Sequence, residues 1–197
     1  MSTIRLKKLE ESVLPTVYGK FKMVAYESGV DDFPHLVLHN VDPSNNKTVD
    51  VRIHSECLTG DLFGSVRCDC GEQLHQALSH FGEHGGALLY LRQEGRGIGL
   101  INKMKAYNLQ DNGLDTIKAN HALGFPTDER DFGIAISMLK DLGINSINLL
   151  TNNPGKLSAF DGTGIEVVER IPVVIDARKE NAGYLKVKKD ELGHLLS

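Results

Sequence analysis

Tryptophan is absent from this 197-residue sequence, aromatic residues make up only 6% of it, and cysteine occurs three times. A cysteine count that is both low and odd argues against a disulfide scaffold and favours a reducing compartment. No run approaches the roughly 20 consecutive apolar residues of a membrane-spanning helix. The opening residues MSTIRLKKLEESVLP lack the apolar core of a signal peptide and carry acidic side chains. These absences predict a cytoplasmic protein with no membrane partner.

An excess of positive charge is also missing. The chain has 22 Lys and Arg against 26 Asp and Glu, for a net charge of −4. A general nucleic-acid-binding protein usually presents a strongly basic face, so we expect no nucleic-acid partner. Hydrophobic residues reach 41%, which is enough for a core, and no long polar linker divides the chain. The sequence therefore predicts one compact domain over residues 1–197.

Hydrophobic periodicity separates a strand-rich beginning from a mixed remainder. Apolar and polar residues alternate over 21–25 and 49–53, which predicts strands. From Cys70 the period becomes helical, with apolar residues at 74, 77, 78 and 81. Further strands are predicted at 87–91, 147–150 and 166–175, and further helices at 98–110, at 132–139 with 128–131 opening it, and at 184–196. This order predicts a mixed α/β (α+β) fold, with mostly antiparallel strands first and alternating helices and strands afterwards.

The three cysteines are clustered, since Cys57, Cys68 and Cys70 lie within fourteen positions. Thiolates suit Zn²⁺, and structural zinc sites usually have four protein ligands, whereas catalytic sites leave one position to water. Three cysteines therefore favour a catalytic zinc site, with His54 or His75 as an alternative fourth ligand. Three buried small side chains, or a redox pair at Cys68 and Cys70, are the other interpretations.

Two loops that follow predicted strands are candidates for phosphate binding. Residues 92–99 contain two arginines and three glycines before a predicted helix, a combination that lets backbone N–H groups approach an anion. Residues 151–156, TNNPGK, add a hydroxyl and an ammonium group. Taken alone, the first loop is equally consistent with a flexible turn, and the second fits a capped turn better than a ligand site. Taken alone, Tyr107 is consistent with a core aromatic residue, and residues 128–131 with an ordinary acidic start to a helix.

Four segments together resemble one enzyme family. They are RIHSECLTGDLFGSVRCDCGEQL (52–74), YLRQEGRGIGLINKMKAYNLQDNG (90–113), DERDF (128–132) and LLTNNPGK (149–156). The sequence is similar to GTP cyclohydrolase II, the zinc enzyme at the entry to riboflavin synthesis, from about residue 14 through the tail. Many members of that family carry a fused dihydroxybutanone phosphate synthase domain. This chain is too short for it, so we expect only the cyclohydrolase activity.

The resemblance implies a reaction and its cofactors. GTP would lose pyrophosphate, and its imidazole ring would open with release of formate. The product would be 2,5-diamino-6-ribosylamino-4(3H)-pyrimidinone 5′-phosphate. The resemblance also implies Zn²⁺ on Cys57, Cys68 and Cys70 with water in the fourth position, Mg²⁺ on the triphosphate, and a homodimer. Zinc fits this chemistry because it lowers the pKa of water toward about 7.

The resemblance further implies roles for individual residues. Tyr107 would assist the hydrolytic steps, so we expect turnover to run past the formamide. Arg130 would act at the α-phosphorus, either as a nucleophile with Asp128 as its base or by stabilising charge, since a guanidinium is a poor nucleophile. Contacts to GTP would come from Arg52, Ile53, His54, Ser55, Glu56, Gln73, Glu94, Gly95, Arg96, Thr116, Thr151 and Lys156.

Some points stay open at the level of sequence. A carboxylate such as Glu94 could accept from the guanine N1–H and N2–H₂ groups, but the sequence does not identify which acid does so. Asn108 and Gly155 depart from the family pattern beside the assigned roles. Two rival functions remain: a structural zinc module that binds a nucleotide or a protein without turnover, and a hydrolase of another purine nucleotide.

Overall fold

The computed structural model describes residues 6–29, 33–45 and 47–195. Within these ranges the strands are β1 (Lys7–Thr16), β2 (Gly19–Glu27), β3 (His35–His39), β4 (Val49–Ser55), β5 (Ala87–Leu91), β6 (Ser146–Leu150) and β7 (Glu166–Ile171). The helices are α1 (Leu58–Asp61), α2 (Cys70–His84), α3 (Gly99–Asp111), α4 (Thr116–Ala122), α5 (Gly133–Asp141), α6 (Pro154–Ser158) and α7 (Ala182–Asp190). Among the described residues, no helix is both long enough and apolar enough to cross a membrane.

All seven of these strands form one sheet in the order β1-β2-β3-β5-β4-β6-β7. The strands β1, β2, β3 and β5 pair antiparallel, whereas β5, β4, β6 and β7 pair parallel. The predicted mixed α/β fold, with antiparallel strands first, is confirmed. The carboxyl ends of the four parallel strands meet at one edge of the sheet, which is where ligands bind in open α/β sheets.

Helices cover both faces of this sheet. One face packs against α5, whose Ile134, Ala135, Met138 and Leu139 join the larger apolar cluster. The other face packs against α2 through Ala77 and Phe81. Strand β2 contributes to both clusters, with Phe21 on the α2 side and Val24 on the α5 side. The central strands are thus fixed on both faces, so their carboxyl ends form a rigid base for the loops beyond them.

The structure corrects three boundaries. The strand predicted over 166–175 ends at Ile171, because Pro172 has no N–H to donate to the ladder. Residues 128–131 do not open a helix, since α5 begins at Gly133, whose N–H donates to the Asp131 carboxylate at 2.7 Å. The tail helix predicted over 184–196 covers Ala182–Asp190 instead, and position 196 lies outside the described residues.

Candidate active site

A cleft of about 1110 Å³, open to solvent, lies beyond the carboxyl ends of β4, β5 and β6. Most of the residues predicted to form the site line it: Arg52, His54, Ser55, Glu56, Cys57, Cys68, Cys70, Gln73, Glu94, Gly95, Arg96, Tyr107, Thr116, Arg130, Thr151 and Lys156. Two predicted residues do not line it. Ile53 is fully buried in the core, and Asp128 forms an ion pair with Arg130, which does line the cleft. The fold therefore gathers segments that are distant in the sequence around one cleft.

The three cysteine sulfurs form a cluster in the cleft, and the part of the cleft that contains them is called the thiol end. The Sγ atoms of Cys57 and Cys68 lie 3.6 Å apart, and the Cys70 sulfur lies within 4.8 Å of both. Four ligands about 2.3 Å from a tetrahedral zinc ion stand about 3.8 Å apart, so this spacing fits Zn²⁺. In the described part of the chain, the cluster contains neither His54 nor His75. The chain thus brings together three thiols without the histidine that was the alternative fourth ligand.

A buried lysine stabilises this cluster. The Nζ atom of Lys103 on α3 lies 3.1 Å from Cys57 Sγ and 2.8 Å from Glu94 Oε1. The other oxygen of Glu94 accepts from the Leu58 backbone N–H at 2.6 Å. Hydrogen bonds from the neighbouring thiols, together with Lys103, lower the pKa of Cys57. The ammonium group therefore favours a thiolate at Cys57.

A second buried network holds the loop that carries Cys57. The carboxylate of Asp61 accepts from the Cys57 N–H at 3.0 Å and from the Tyr90 hydroxyl at 2.9 Å. Its other oxygen lies 3.0 Å from His54 Nε2, and the His54 ring stacks on Tyr90. Burial lowers the pKa of His54. Asp61 thereby fixes a candidate metal ligand and a cleft-lining histidine relative to each other.

The cleft also contains cations without a described carboxylate in ion-pair contact, and the part of it that holds Arg52, Arg96 and Lys156 is called the cation-rich end. Arg52 donates to the Leu150 carbonyl at 2.9 Å and to Gln73, Arg96 to the Thr127 carbonyl, and Lys156 to the Ile53 carbonyl at 2.7 Å. Among the described residues, none of these three cations pairs with a carboxylate. Burial, followed by Arg52 and Arg130, lowers the pKa of Lys156 well below its usual value of 10.5. These three cations therefore lack ion-pair partners in the described chain, although Asp69 and Asp61 near Arg52, and Asp128 near Arg96, offset part of their charge from a longer distance.

The backbone of Arg96 is unusual in the same region. Its φ of 63° follows a Gly95 φ of 64°, and Arg96 is the non-glycine residue with positive φ in the described chain. A left-handed conformation costs a non-glycine residue roughly 1–2 kcal/mol. Such strain is concentrated at functional sites in proteins. The turn after β5 therefore holds the Arg96 side chain at the cleft at some conformational cost.

Arg130 and Tyr107 face the cleft from different elements. Arg130 donates through Nε to Asp128 Oδ1 at 2.8 Å, and the same ion pair lowers the pKa of Asp128 although burial opposes it. The Tyr107 hydroxyl lies 3.4 Å from Thr59 Oγ1, and burial raises its pKa. The sulfur cluster is near, because Lys103 lies one helical turn before Tyr107 on α3 and its ammonium is 5.7 Å from the centre of the Tyr107 ring. The cleft thus places a protonated phenol near the thiol end.

Several residues of the cleft and of the networks behind it escaped the sequence reasoning. Lys103, Tyr184, Lys188 and His194 line the cleft, and Asp61 and Asp69 support residues that do. Lys103 lies 46 residues from Cys57 in the sequence, so no local pattern links the two. The signal available in the sequence was that Lys103 lies four positions before Tyr107, on the same face of the predicted helix.

Comparison with known proteins agrees with this geometry. The model of the family described as GTP cyclohydrolase II matches residues 7–172. The riboflavin biosynthesis protein RibBA of Bacillus cereus is 54% identical over 188 residues, which cover 95% of this chain and 47% of that protein. RibBA of Bacillus cytotoxicus is 53% identical with the same coverage of both chains. The chain thus spans about half the length of the curated relatives it matches.

The similarity to a solved structure is more remote. RibBX, a two-domain 3,4-dihydroxy-2-butanone 4-phosphate synthase from A. baumannii, gives a TM-score of 0.49 at 20% identity, covering 89% of this chain and 42% of that chain. The family match covers most of the present chain and includes the three clustered cysteines, Tyr107 and Arg130. This chain belongs to the GTP cyclohydrolase II family.

Proposed function

We propose that this protein hydrolyses GTP, opens the imidazole ring with release of formate from C8, and releases pyrophosphate. The product is 2,5-diamino-6-ribosylamino-4(3H)-pyrimidinone 5′-phosphate. The observation that carries the proposal is a single cleft that contains both a three-thiol cluster and three cations without ion-pair partners among the described residues. Hydrolysis of the ring requires a metal, which the thiol cluster could hold, and binding of a triphosphate requires the cations. A homodimer, Mg²⁺ on the triphosphate and a cytoplasmic location remain predictions.

The thiol end fits zinc by its donor set. Cys57, Cys68 and Cys70 would hold the ion, since their spacing suits tetrahedral sulfur coordination. When bound, zinc supplies Lewis acidity that lowers the pKa of water toward about 7. Three thiolates alone would give the site a net negative charge, and the ammonium of Lys103 offsets part of it. Asp61 fixes the Cys57 loop, so the ligand set is held before the ion arrives.

The cation-rich end fits the triphosphate. Arg52, Arg96 and Lys156 contribute three positive charges, and none of them forms an ion pair with a described carboxylate. A buried ammonium without a counter-ion is costly, and a polyphosphate in the cleft would remove that cost. Arg130 would stabilise charge at the α-phosphate, because its pKa is raised by Asp128 despite burial and the guanidinium therefore stays protonated. Asp128 orients that guanidinium.

We assign the guanine edge to Glu56 rather than Glu94. The carboxylate of Glu94 already accepts from Leu58 N, Gly95 N and Lys103 Nζ. Glu56 also lines the cleft, but its described interaction is an ion pair with Arg92 Nε at 3.2 Å. Its Oε1 atom has no hydrogen bond among the described residues, and this oxygen, with the remaining lone pair of Oε2, is available to the N1–H and N2–H₂ groups of guanine.

The guanine assignment predicts a change in base preference. Glu56→Gln should reduce the preference for GTP over ITP by about tenfold or more, because it removes a charged acceptor from the N2 amino group. Binding of both nucleotides by calorimetry measures this preference. An unchanged GTP-to-ITP ratio would contradict the role of Glu56.

Tyr107 would position or polarise the group under hydrolysis. Its raised pKa keeps the phenol protonated, so it acts as a hydrogen-bond donor rather than as a base. Thr59 lies at 3.4 Å from its hydroxyl and helps to hold it near the thiol end.

A substrate panel tests the proposal against its rivals. Purified zinc-loaded protein is incubated with GTP, dGTP and ATP, and formate and pyrophosphate are quantified separately. We expect both products from GTP and neither from ATP. Tight GTP binding without either product would favour the binding module, and comparable turnover of ATP would favour a hydrolase of another purine nucleotide.

A further inference from the structure

The chain beyond residue 172 returns to the cleft although the family match ends there. The backbone N–H of Leu195 donates to the Asn152 carbonyl at 2.8 Å. At the other end of this segment, Arg178 pairs with Glu72 on α2 at 2.6 Å. The segment that contains α7 is therefore tied at both ends to elements that carry cleft residues.

Three side chains from this segment line the cleft, namely Tyr184, Lys188 and His194. The Lys188 ammonium is buried and donates to Asp69 Oδ1 at 2.6 Å, while the Tyr184 ring centre lies 4.5 Å from it. Asp69 takes one of its three N–H groups, which leaves two for a ligand. The Tyr184 hydroxyl and the His194 ring make no hydrogen bond within the described chain. All three side chains thus have polar groups available at the cleft.

Asp69 also connects Lys188 to the base of the cleft. Its second carboxylate oxygen accepts from Gln73 Nε2 at 2.6 Å, and Gln73 Oε1 accepts from Arg52 at 2.5 Å. The ammonium of α7 is therefore held in one hydrogen-bonded chain with a guanidinium that lacks a carboxylate partner. This chain fixes the position of Lys188 before any ligand binds.

The charges around α7 add to those of the cation-rich end. Lys188 is among the cations that lower the pKa of Lys156, after burial, Arg52 and Arg130. Burial, then Lys188, Arg130, Arg96 and Lys156, lowers the pKa of His194 to about 3. These groups are close enough to repel one another, so an anion between them would be stabilised by all of them.

We propose that α7 and the residues after it complete the polyphosphate site, with Lys188, Tyr184 and His194 as additional contacts to the phosphate chain. The identity of the ligand as GTP rests on the proposed function, whereas the contact itself requires only a polyphosphate. Lys188 supplies a charge-assisted hydrogen bond, and the Tyr184 hydroxyl and the neutral His194 ring supply further polar contacts.

Calorimetric titration of the zinc-loaded full chain tests this inference, with inorganic tripolyphosphate and guanosine as separate probes. Lys188→Met should weaken tripolyphosphate binding by about tenfold or more and leave guanosine binding unchanged. Lys186→Met is the matched control, because Lys186 is exposed on the same helix and pairs with Asp190. Wild-type tripolyphosphate affinity in Lys188→Met, or an equal loss for guanosine, would overturn the inference.

Hydrogen exchange on the wild-type chain gives a reading that does not depend on how the variant folds. Tripolyphosphate should slow amide exchange across 182–190, and unchanged exchange there would contradict the inference. Formate release separates this inference from the proposed function. If the protein binds tripolyphosphate through Lys188 but releases no formate from GTP, the inference stands and the proposed function fails. If it releases formate from GTP and Lys188→Met has no effect on binding, the proposed function stands and the inference fails.

Discussion

The thiol end and the cation-rich end differ in the partners of their charged side chains. At the thiol end, ionisable groups have close protein partners: Lys103 meets Glu94 at 2.8 Å, and Asp61 meets His54 at 3.0 Å. At the cation-rich end, Arg130 and Lys188 also pair with carboxylates. The other three cations, Arg52, Arg96 and Lys156, rely on carbonyl and amide oxygens instead. Both ends are largely buried, so the contrast does not come from exposure to solvent. We infer from it that the protein's own partners fix the thiol end, whereas an anion would complete the surroundings of Arg52, Arg96 and Lys156.

This contrast predicts opposite effects of removing a lysine from each end. Loss of a paired lysine strands a buried carboxylate, which destabilises the fold. Loss of an uncompensated lysine relieves repulsion, which stabilises the fold at the expense of binding. The variants below test the two ends in order of decreasing expected effect.

The largest effect is expected from breaking the thiol cluster. Cys68→Ser replaces a thiolate with a hydroxyl that is a poor zinc ligand, so bound zinc and formate release should both fall to background. Metal analysis and a formate assay measure the two effects. Ser65→Ala, on the same loop, is the matched control and should retain both. Full formate release by Cys68→Ser would refute the metal assignment.

Tyr107→Phe should interrupt hydrolysis at the thiol end without removing the metal. It removes the hydroxyl group that lies near Thr59 and keeps the aromatic ring, so we expect the formamide intermediate to accumulate. Chromatography of the products, with zinc content measured in parallel, checks this outcome. Undiminished conversion to the final product would exclude Tyr107 from the chemistry.

Lys156→Met tests the cation-rich end. Tripolyphosphate affinity should fall by about 30-fold or more, while the free energy of unfolding of the ligand-free protein rises by about 1–3 kcal/mol. The folded-state pKa of Lys156 lies below the usual 10.5, so the charge penalty is present at neutral pH and fades as pH rises toward 10.5. The stabilisation should therefore be larger at pH 7 than at pH 10.

Titration calorimetry and denaturant unfolding at both pH values measure these effects. Lys140→Met, at an exposed position on α5, should change neither quantity appreciably. A variant at position 156 that is less stable than wild type at pH 7 would remove the contrast between the two ends.

Lys103→Met tests the thiol end in the same way, and its expected effect is smaller than that of Lys156→Met. Zinc affinity should fall by about tenfold, because the hydrogen bond to Cys57 Sγ is lost. The fold should also lose stability, since Glu94 remains buried without its cation. Chelator competition measures the affinity, and Lys105→Met, on the exposed side of α3, is the matched control. Unchanged zinc affinity would show that Lys103 does not act on the thiol cluster.

The sequence was informative where function rests on local spacing. The spacing of Cys57, Cys68 and Cys70 predicted the thiol cluster. The alternation of Val49, Val51 and Ile53 predicted strand β4, whose end leads into the cleft. The pairing of Lys103 with Cys57 could not be predicted, because it depends on how α3 packs beside the loop after β4.

The tail illustrates a different limit of sequence reasoning. Its helical character was visible in the sequence, whereas the 119-residue separation between Lys188 and Asp69 hides their contact from any local pattern. The end of β7 was missed for a local reason, since Pro172 outweighed the apolar run that follows it.

The central claim is that a metal on the thiol cluster drives ring opening of a nucleotide whose phosphates occupy the other end. The most direct test measures formate released from GTP before chelation, after chelation and after zinc is restored. We predict release from the zinc-loaded protein, background release after chelation, and recovery with added zinc. Equal formate release with and without metal, or none from the zinc-loaded protein, would contradict the account.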